Sequence, residues 1–440
     1  MPILPLMRAS LLGLVCLAVL ADEPPPCSPA PLPASLTLAQ AVDQALCRHP
    51  QTRIAWAQAR AQAASLDIAR AAFLPSLDAS VSTSLSDEDG RSSHAASGGL
   101  RLAYALFDFG QRAARRDSAE ALLDAARHGR DSVIAQVWRD TVNAYLNVAR
   151  ADAQAEAGRA AERAAQAGLA AAEARLAAGT VTSADVLQAR TALSRATLIR
   201  LRAEGQGAGA RGQLAQQLGL GPTALPSLVP LTPPAPQPIP DSVVEALIEQ
   251  ASQRRAELKQ AQADLRAAEA AIAAARAADR PSLGLSANAG LAQQRDQDRR
   301  HSGSIALMLN IPVFEGGAPP ARIRQAEAQR DSRLAELERQ RLAIAQEVWQ
   351  AWQSLRTAEA ATTAAEAAQQ SARRAAEVAL GRYRAGLGIG LDVLNAQSAE
   401  AEAERERVTT LYDWLAARAA LAYALGGSLP ADLGNWTPAP

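Results

Sequence analysis

The chain has 440 residues, with 45 Lys+Arg balanced by 45 Asp+Glu, so no net field draws it to nucleic acid or to an anionic membrane surface. Aromatic residues make up 3% of it and alanine dominates, which argues against a compact domain with a bulky core and for long helices packed backbone to backbone. The length accommodates two or three ordinary domains or one elongated body.

At the N-terminus Arg8 precedes the apolar run Ala9–Leu20, and Val19-Leu20-Ala21 places small or apolar residues before a cleavage point after Ala21. The run is too short to span a bilayer as a helix, so residues 1–21 read as an export signal. Cys16 follows Val15, a larger residue than lipoprotein processing accepts. Export leaves Cys27 and Cys47, which an oxidising periplasm can join as a disulfide; two free buried thiols are the alternative. Cys47-Arg48-His49 does not read as a metal site, because His94, His128 and His301 fall in unrelated segments. Residues 22–35 form an extended N-terminal segment.

A helix opens at residue 36, where Thr37 can cap Leu36-Thr-Leu-Ala-Gln-Ala-Val, and Pro75 closes it. The period then changes to two. Leu77, Ala79, Val81, Thr83 and Leu85 alternate with Ser76, Asp78, Ser80, Ser82, Ser84 and Ser86, the pattern of a strand with one apolar and one polar face. A polar loop, Asp87–Ser97, leads to a second strand carrying Leu100, Leu102, Tyr104 and Leu106. A helix then covers Gln111–Ala177, roughly 100 Å at about 1.5 Å per residue. A loop at Gly179 and a return helix, Ala184–Leu218, complete the series. Eight prolines between Pro222 and Pro240 mark residues 222–239 as a linker that cannot hold continuous helix or sheet.

The half of the chain after the linker repeats the half before it. Asp241 can cap the opening helix and Pro281 closes it. Leu283, Leu285, Ala287, Ala289 and Leu291 form one strand; after the loop Ala292–Ser302, Ile305, Leu307, Leu309, Ile311 and Val313 form the next. Helices at Ala318–Arg384 and Leu391–Leu425 flank a loop at Gly386. Arg175 through Ala189 aligns on Arg382 through Ala396 without a gap, and the same 207-residue offset carries Phe107 onto Phe314 and Tyr145 onto Trp352. Two repeats, 36–221 and 240–427, are thus followed by a tail at 428–440.

Gly207-Ala-Gly-Ala-Arg-Gly212 has dinucleotide-loop spacing, but it lies in a helical stretch with no strand before it, and phosphate cradling needs the strand. No Ser/His/Asp set, metal-ligand spacing or Walker loop occurs, so the chain reads as a non-enzyme that needs no cofactor.

The four strands carry a stronger inference. Each has about the ten residues that a tilted strand needs to cross a bilayer. An open sheet in lipid would strand its edge N–H and C=O groups, and closed barrels begin at about eight strands, so several copies must contribute to one barrel. The order of helix, hairpin, long helix, Gly loop and return helix, given twice after a signal, resembles the TolC outer-membrane efflux family. So do the opening Leu36-Thr-Leu-Ala-Gln-Ala-Val-Asp-Gln-Ala-Leu and the two Arg-x-x-x-Gly…Asp-Val-Leu turns. The resemblance implies a mainly α fold with a β-hairpin in each of two repeats. It further implies a homotrimer in the outer membrane, with a twelve-stranded transmembrane β-barrel in lipid continued by a long periplasmic α-helical barrel. The implied partners are a periplasmic adaptor and an inner-membrane ABC or proton-driven transporter.

Carried over residue by residue, the family's periplasmic gate falls on Asp392 for an acidic ring, and on Asp185 and Tyr383 for closing contacts. The chain departs from the pattern at Asn395, where a second acidic residue is expected, and at Gly388, where a basic one is. For Asp185 and Asp392, simple helix capping is the alternative. Ala45-Leu46-Cys47-Arg-His-Pro50, with Cys27, resembles the branch that serves type I secretion of repeat-in-toxin proteins such as adenylate cyclase-haemolysin; small-molecule efflux is the rival cargo. A periplasmic adaptor or a coiled-coil scaffold remains as a different class. An adaptor should show one hairpin flanked by lipoyl-like and barrel segments, where this chain shows a duplication with strands in both halves. A scaffold would not need the four amphipathic strands.

Overall fold

The structure, a computed structural model, describes residues 31–88, 91–231, 244–294 and 299–427. The signal segment, Cys27, Asp241 and the tail at 428–440 lie outside the described residues.

The elements run twice through one series. The first half holds β1 (Ser35–Leu36), α1 (Leu38–Arg48), α2 (Pro50–Ala71), β2 (Ser76–Glu88), β3 (Arg91–Phe107), α3 (Gln111–Ala177) and α4 (Ser183–Gln217). A bridge strand, β4 (Ser227–Leu228), follows in the linker. The second half holds α5 (Val244–Arg254), α6 (Ala256–Ala277), β5 (Ser282–Gln294), β6 (Arg300–Asn310), α7 (Ala318–Arg384) and α8 (Gly390–Ala424).

Thr37 caps α1 through a full capping box. Its Oγ1 accepts from Gln40 N at 3.3 Å, and its own N–H donates to Gln40 Oε1 at 3.0 Å. The single opening helix expected in each half is instead two. Pro50 holds His49 extended at φ −61, ψ 131 and ends α1 there. The second half breaks at Arg255 (φ −59, ψ 126) without a proline. There the buried Arg255 side chain pairs with Glu257 at 2.9 Å and Glu347 at 2.8 Å and donates to Ala424 O at 3.2 Å. Burial alone would raise the Glu257 carboxyl, but the bond and charge of Arg255 outweigh it and hold Glu257 below the usual range.

The strands correct the expected loops. Residues assigned to the loops Asp87–Ser97 and Ala292–Ser302 are mostly strand, because pairing continues into the polar tips. At the other end β6 stops at Asn310. Pro312 has no N–H to offer a ladder, so Ile311 and Val313 fall outside the strand. The four strands form one antiparallel sheet in the order β2-β3-β5-β6. Register places Leu77, Leu102, Ala287 and Ile305 in one row on one face, and Asp78, Arg101, Asn288 and Ser304 in the next row on the other. The apolar face is bare: Val81 is 91% and Ile305 81% exposed. A strand of 13 residues such as β2, tilted by about 45°, covers roughly 30 Å.

The long helices α3 and α7 each have 67 residues, with the expected bounds. They turn back at Gly179 (φ 72) and Gly386 (φ 76), left-handed positions that glycine enters without a Cβ penalty. The main core lies midway along them, where α1, α5, α3, α7 and α8 meet around Trp138, Tyr145, Trp352 and Trp414. Tyr145, fully buried, puts its hydroxyl 3.1 Å from Leu36 O and 2.8 Å from Val229 O. It thereby pins the two-residue parallel bridge β1–β4, the one pairing found in the described part of the proline-dense linker.

Candidate functional site

Two regions of the molecule are left incomplete by a single chain. The first is the sheet. β2 and β6 each pair on one side only, so their outer edges present free backbone groups, and the face between them is apolar. No helix among the described residues is long and apolar enough to cross a membrane.

The second is the pair of turns at the far end of the helices. At the first, Thr182 N donates to Asp185 Oδ2 at 2.9 Å and the Thr182 hydroxyl lies 2.7 Å from the same oxygen. The Thr182 hydroxyl foremost, then its backbone N–H, holds the Asp185 carboxyl below the usual range. Asp185 is therefore a helix cap. The second turn differs. Asp392 occupies the matching position in the first turn of α8, but the N-cap there is Ile389 and no cap bond forms. The Asp392 carboxylate is exposed and makes no hydrogen bond or ion pair among the described residues. Asn395 is exposed one turn further on.

Tyr383 is half-buried, and Asp185 does not bond to it among the described residues. Its partner is Arg175, whose guanidinium lies 3.9 Å over the ring and donates through Nη2 to Tyr383 O at 3.2 Å. Sequence reasoning missed Arg175, because the 207-residue offset maps it onto Arg382 and not onto a partner of Tyr383. Leu387 (72% exposed) and Ile389 (61% exposed) leave the tip apolar and uncovered.

Cys47 is disulfide-bonded, and its partner lies outside the described residues. Gly207, from the dinucleotide-like spacing, lies inside α4, where a Cβ would meet Ala151 Cβ at 3.7 Å. That is an ordinary contact distance, and the segment is continuous helix that forms no phosphate loop.

The sequence profile of the family described as outer membrane efflux protein matches residues 41–220 and 247–427. Protein CyaE of Bordetella pertussis is 35% identical over 420 residues, 91% of this chain and 87% of that protein. The alkaline protease secretion protein AprF of Pseudomonas aeruginosa is 26% identical over 157 residues, 35% of this chain and 33% of that protein. Among solved structures, the outer-membrane channel OprN superposes with a TM-score of 0.78 at 25% identity, covering 89% of this chain and 90% of that one.

Proposed function

The chain belongs to the outer membrane efflux protein family, and on that premise we propose that three copies of it close one export channel that carries a secreted protein. It is an outer-membrane exit duct with a periplasmic helical body, and members of its family are channels rather than enzymes. The observation that carries the trimer is the open sheet. Four strands with a bare apolar face and two unpaired edges are unstable in lipid until β6 of one copy meets β2 of the next. Three copies give a twelve-stranded barrel, and the polar row Asp78, Arg101, Asn288 and Ser304 then faces its lumen.

The helical tips form the gate. Asp392 supplies the free carboxylate of an acidic ring, with Asn395 beyond it adding no charge. Arg175 on Tyr383 ties the α3–α4 hairpin to the α7–α8 hairpin and supplies the cation that Gly388 lacks. Asp185 keeps the first turn rigid by capping α4. A periplasmic adaptor and an inner-membrane transporter complete the system. A protein cargo is supported by the match to CyaE along nearly the whole chain, and by AprF, whose name states export of a protease.

Deleting the gene and comparing culture medium with susceptibility to toxic compounds tests the cargo. The expected result is one protein missing from the medium, restored by complementation, with susceptibility unchanged. Greater susceptibility with an intact set of secreted proteins would assign the duct to small molecules instead.

A further inference from the structure

The strand-to-helix turn is built twice in this chain and differs most at its middle residue. Asp108-Phe109-Gly110 precedes α3, and Glu315-Gly316-Gly317 precedes α7 at the 207-residue offset. Phe109 has φ 51 and Gly316 φ 59, so both occupy the left-handed region. Glycine enters that region freely and phenylalanine does not, so the ring at 109 is held against the backbone's preference. Phe109 is 42% exposed and meets Phe107 edge-on, with ring centroids 4.7 Å apart. Phe107 is the register partner of Leu283 on the apolar face. The aromatic pair therefore marks the outer side of the sheet, at the end where the helices begin.

Phe109 is also one wall of a groove of about 530 Å³ between α3, α6 and α7. Three guanidinium groups line it. Arg276 is held by Glu327 at 2.9 Å, and Arg330 by Asp331 at 2.9 Å. The exposed Arg280 guanidinium makes no hydrogen bond or ion pair among the described residues. The remaining carboxylate of the wall, Glu269, lies about two helical turns down α6 from Arg276. An unneutralised guanidinium beside an aromatic wall, where an apolar sheet face ends, fits a phosphodiester whose acyl chains run up that face. Asp279, the neighbour of Arg280 in sequence, is not part of the wall. Among the lining residues three guanidinium groups face two carboxylates, Glu269 and Glu327, which favours an anionic headgroup over a zwitterionic one.

We propose that this groove binds an anionic phospholipid of the periplasmic leaflet. Arg280 contacts the phosphate, Arg276 and Arg330 flank it, and Phe109 wedges between headgroup and acyl chains. The proposal rests on the outer-membrane reading above. Native mass spectrometry of the detergent-solubilised oligomer, titrated with phosphatidylglycerol, phosphatidylcholine or inorganic phosphate, tests it. Phosphatidylglycerol should bind at concentrations where phosphatidylcholine does not, and inorganic phosphate should not displace it. Arg280→Gln should weaken binding at least about tenfold, the loss of one charge-assisted contact. Phe109→Gly, which copies the turn at Gly316 and relieves the backbone, should fold normally and bind less. Equal binding by wild type and both variants, equal binding of the two lipids, or displacement by free phosphate would each overturn the proposal. An intact outer-membrane oligomer without bound lipid overturns this proposal alone; a chain found outside the outer membrane overturns the reading beneath it as well.

Discussion

The guanidinium of Arg175 lies 3.9 Å over the ring of Tyr383 and donates to the Tyr383 carbonyl oxygen at 3.2 Å. One side chain thus makes two contacts across the internal duplication, at the end of the helices farthest from the sheet. A cation–π contact at a partly exposed site contributes about 0.5–1 kcal/mol, and a hydrogen bond from a charged donor about 1.5–3 kcal/mol. Together they hold the two hairpins at one spacing.

Removing Arg175 removes both contacts. Arg175→Ala should raise the open fraction of reconstituted channels by roughly tenfold, the effect of about 1.4 kcal/mol. Tyr383→Phe keeps the ring and the main-chain acceptor and should conduct close to wild type. Planar-bilayer recordings check both; if Tyr383→Phe opens the channel as fully as Arg175→Ala, the hydroxyl is the latch and the ring is not.

Asp392 concerns charge, since its exposed carboxylate has no protein partner among the described residues. Three copies around one axis should favour cations and bind multivalent ones. Asp392→Asn should reduce cation selectivity and block by multivalent cations, with single-channel conductance the measured quantity. An unchanged preference would place the acidic ring elsewhere.

Much of this molecule is legible in its sequence because long periodic elements leave little choice. The 67-residue bounds of α3 and α7 follow from the strand pattern before each and the glycine after it. The duplication makes each half a check on the other. Short-range competition was harder to read. The residues around Arg255 do not announce a helix break, which depends on burying Arg255 beside its neighbour Glu257, the distant Glu347 and the Ala424 carbonyl. The strand tips were hidden because Asp87, Glu88, Ala95 and Ala96 have poor strand propensity, while pairing across a hairpin overrides it. The tip contact was illegible for a related reason. Arg175 and Tyr383 are 208 residues apart, and only the tertiary arrangement of the two hairpins brings them together.

Tyr145 ties the linker to the first half. Burial foremost, with the nearby Tyr412 adding, pushes its phenol up to about 12 despite the bond to Val229. The folded value lies above the unfolded one, so this contribution is whole below about pH 10 and declines as pH rises toward 12. Tyr145→Phe should lower stability by about 1–2 kcal/mol at neutral pH by removing the hydroxyl that donates to the part-buried carbonyl of Val229; Leu36 O keeps the Val229 N–H. It should also flatten the alkaline fall. Thermal unfolding of the detergent-solubilised protein at neutral and alkaline pH measures both.

Cys47 is disulfide-bonded, and Cys27 is the partner we propose. Unreduced peptide mapping should find the two linked, pinning the N-terminal segment to α1. In the chain-entropy model, closing a loop of this length is worth about 3 kcal/mol, so Cys47→Ser should unfold at a lower temperature. Two alkylatable thiols in the purified protein would remove the pairing.

The open sheet is the feature on which the channel depends, and its edges can be closed in lipid only by further copies. Detergent-corrected light scattering on protein extracted from the outer membrane counts those copies directly. Three chains per particle are expected. A stable, folded monomer, with β2 and β6 both unpaired, would contradict the channel.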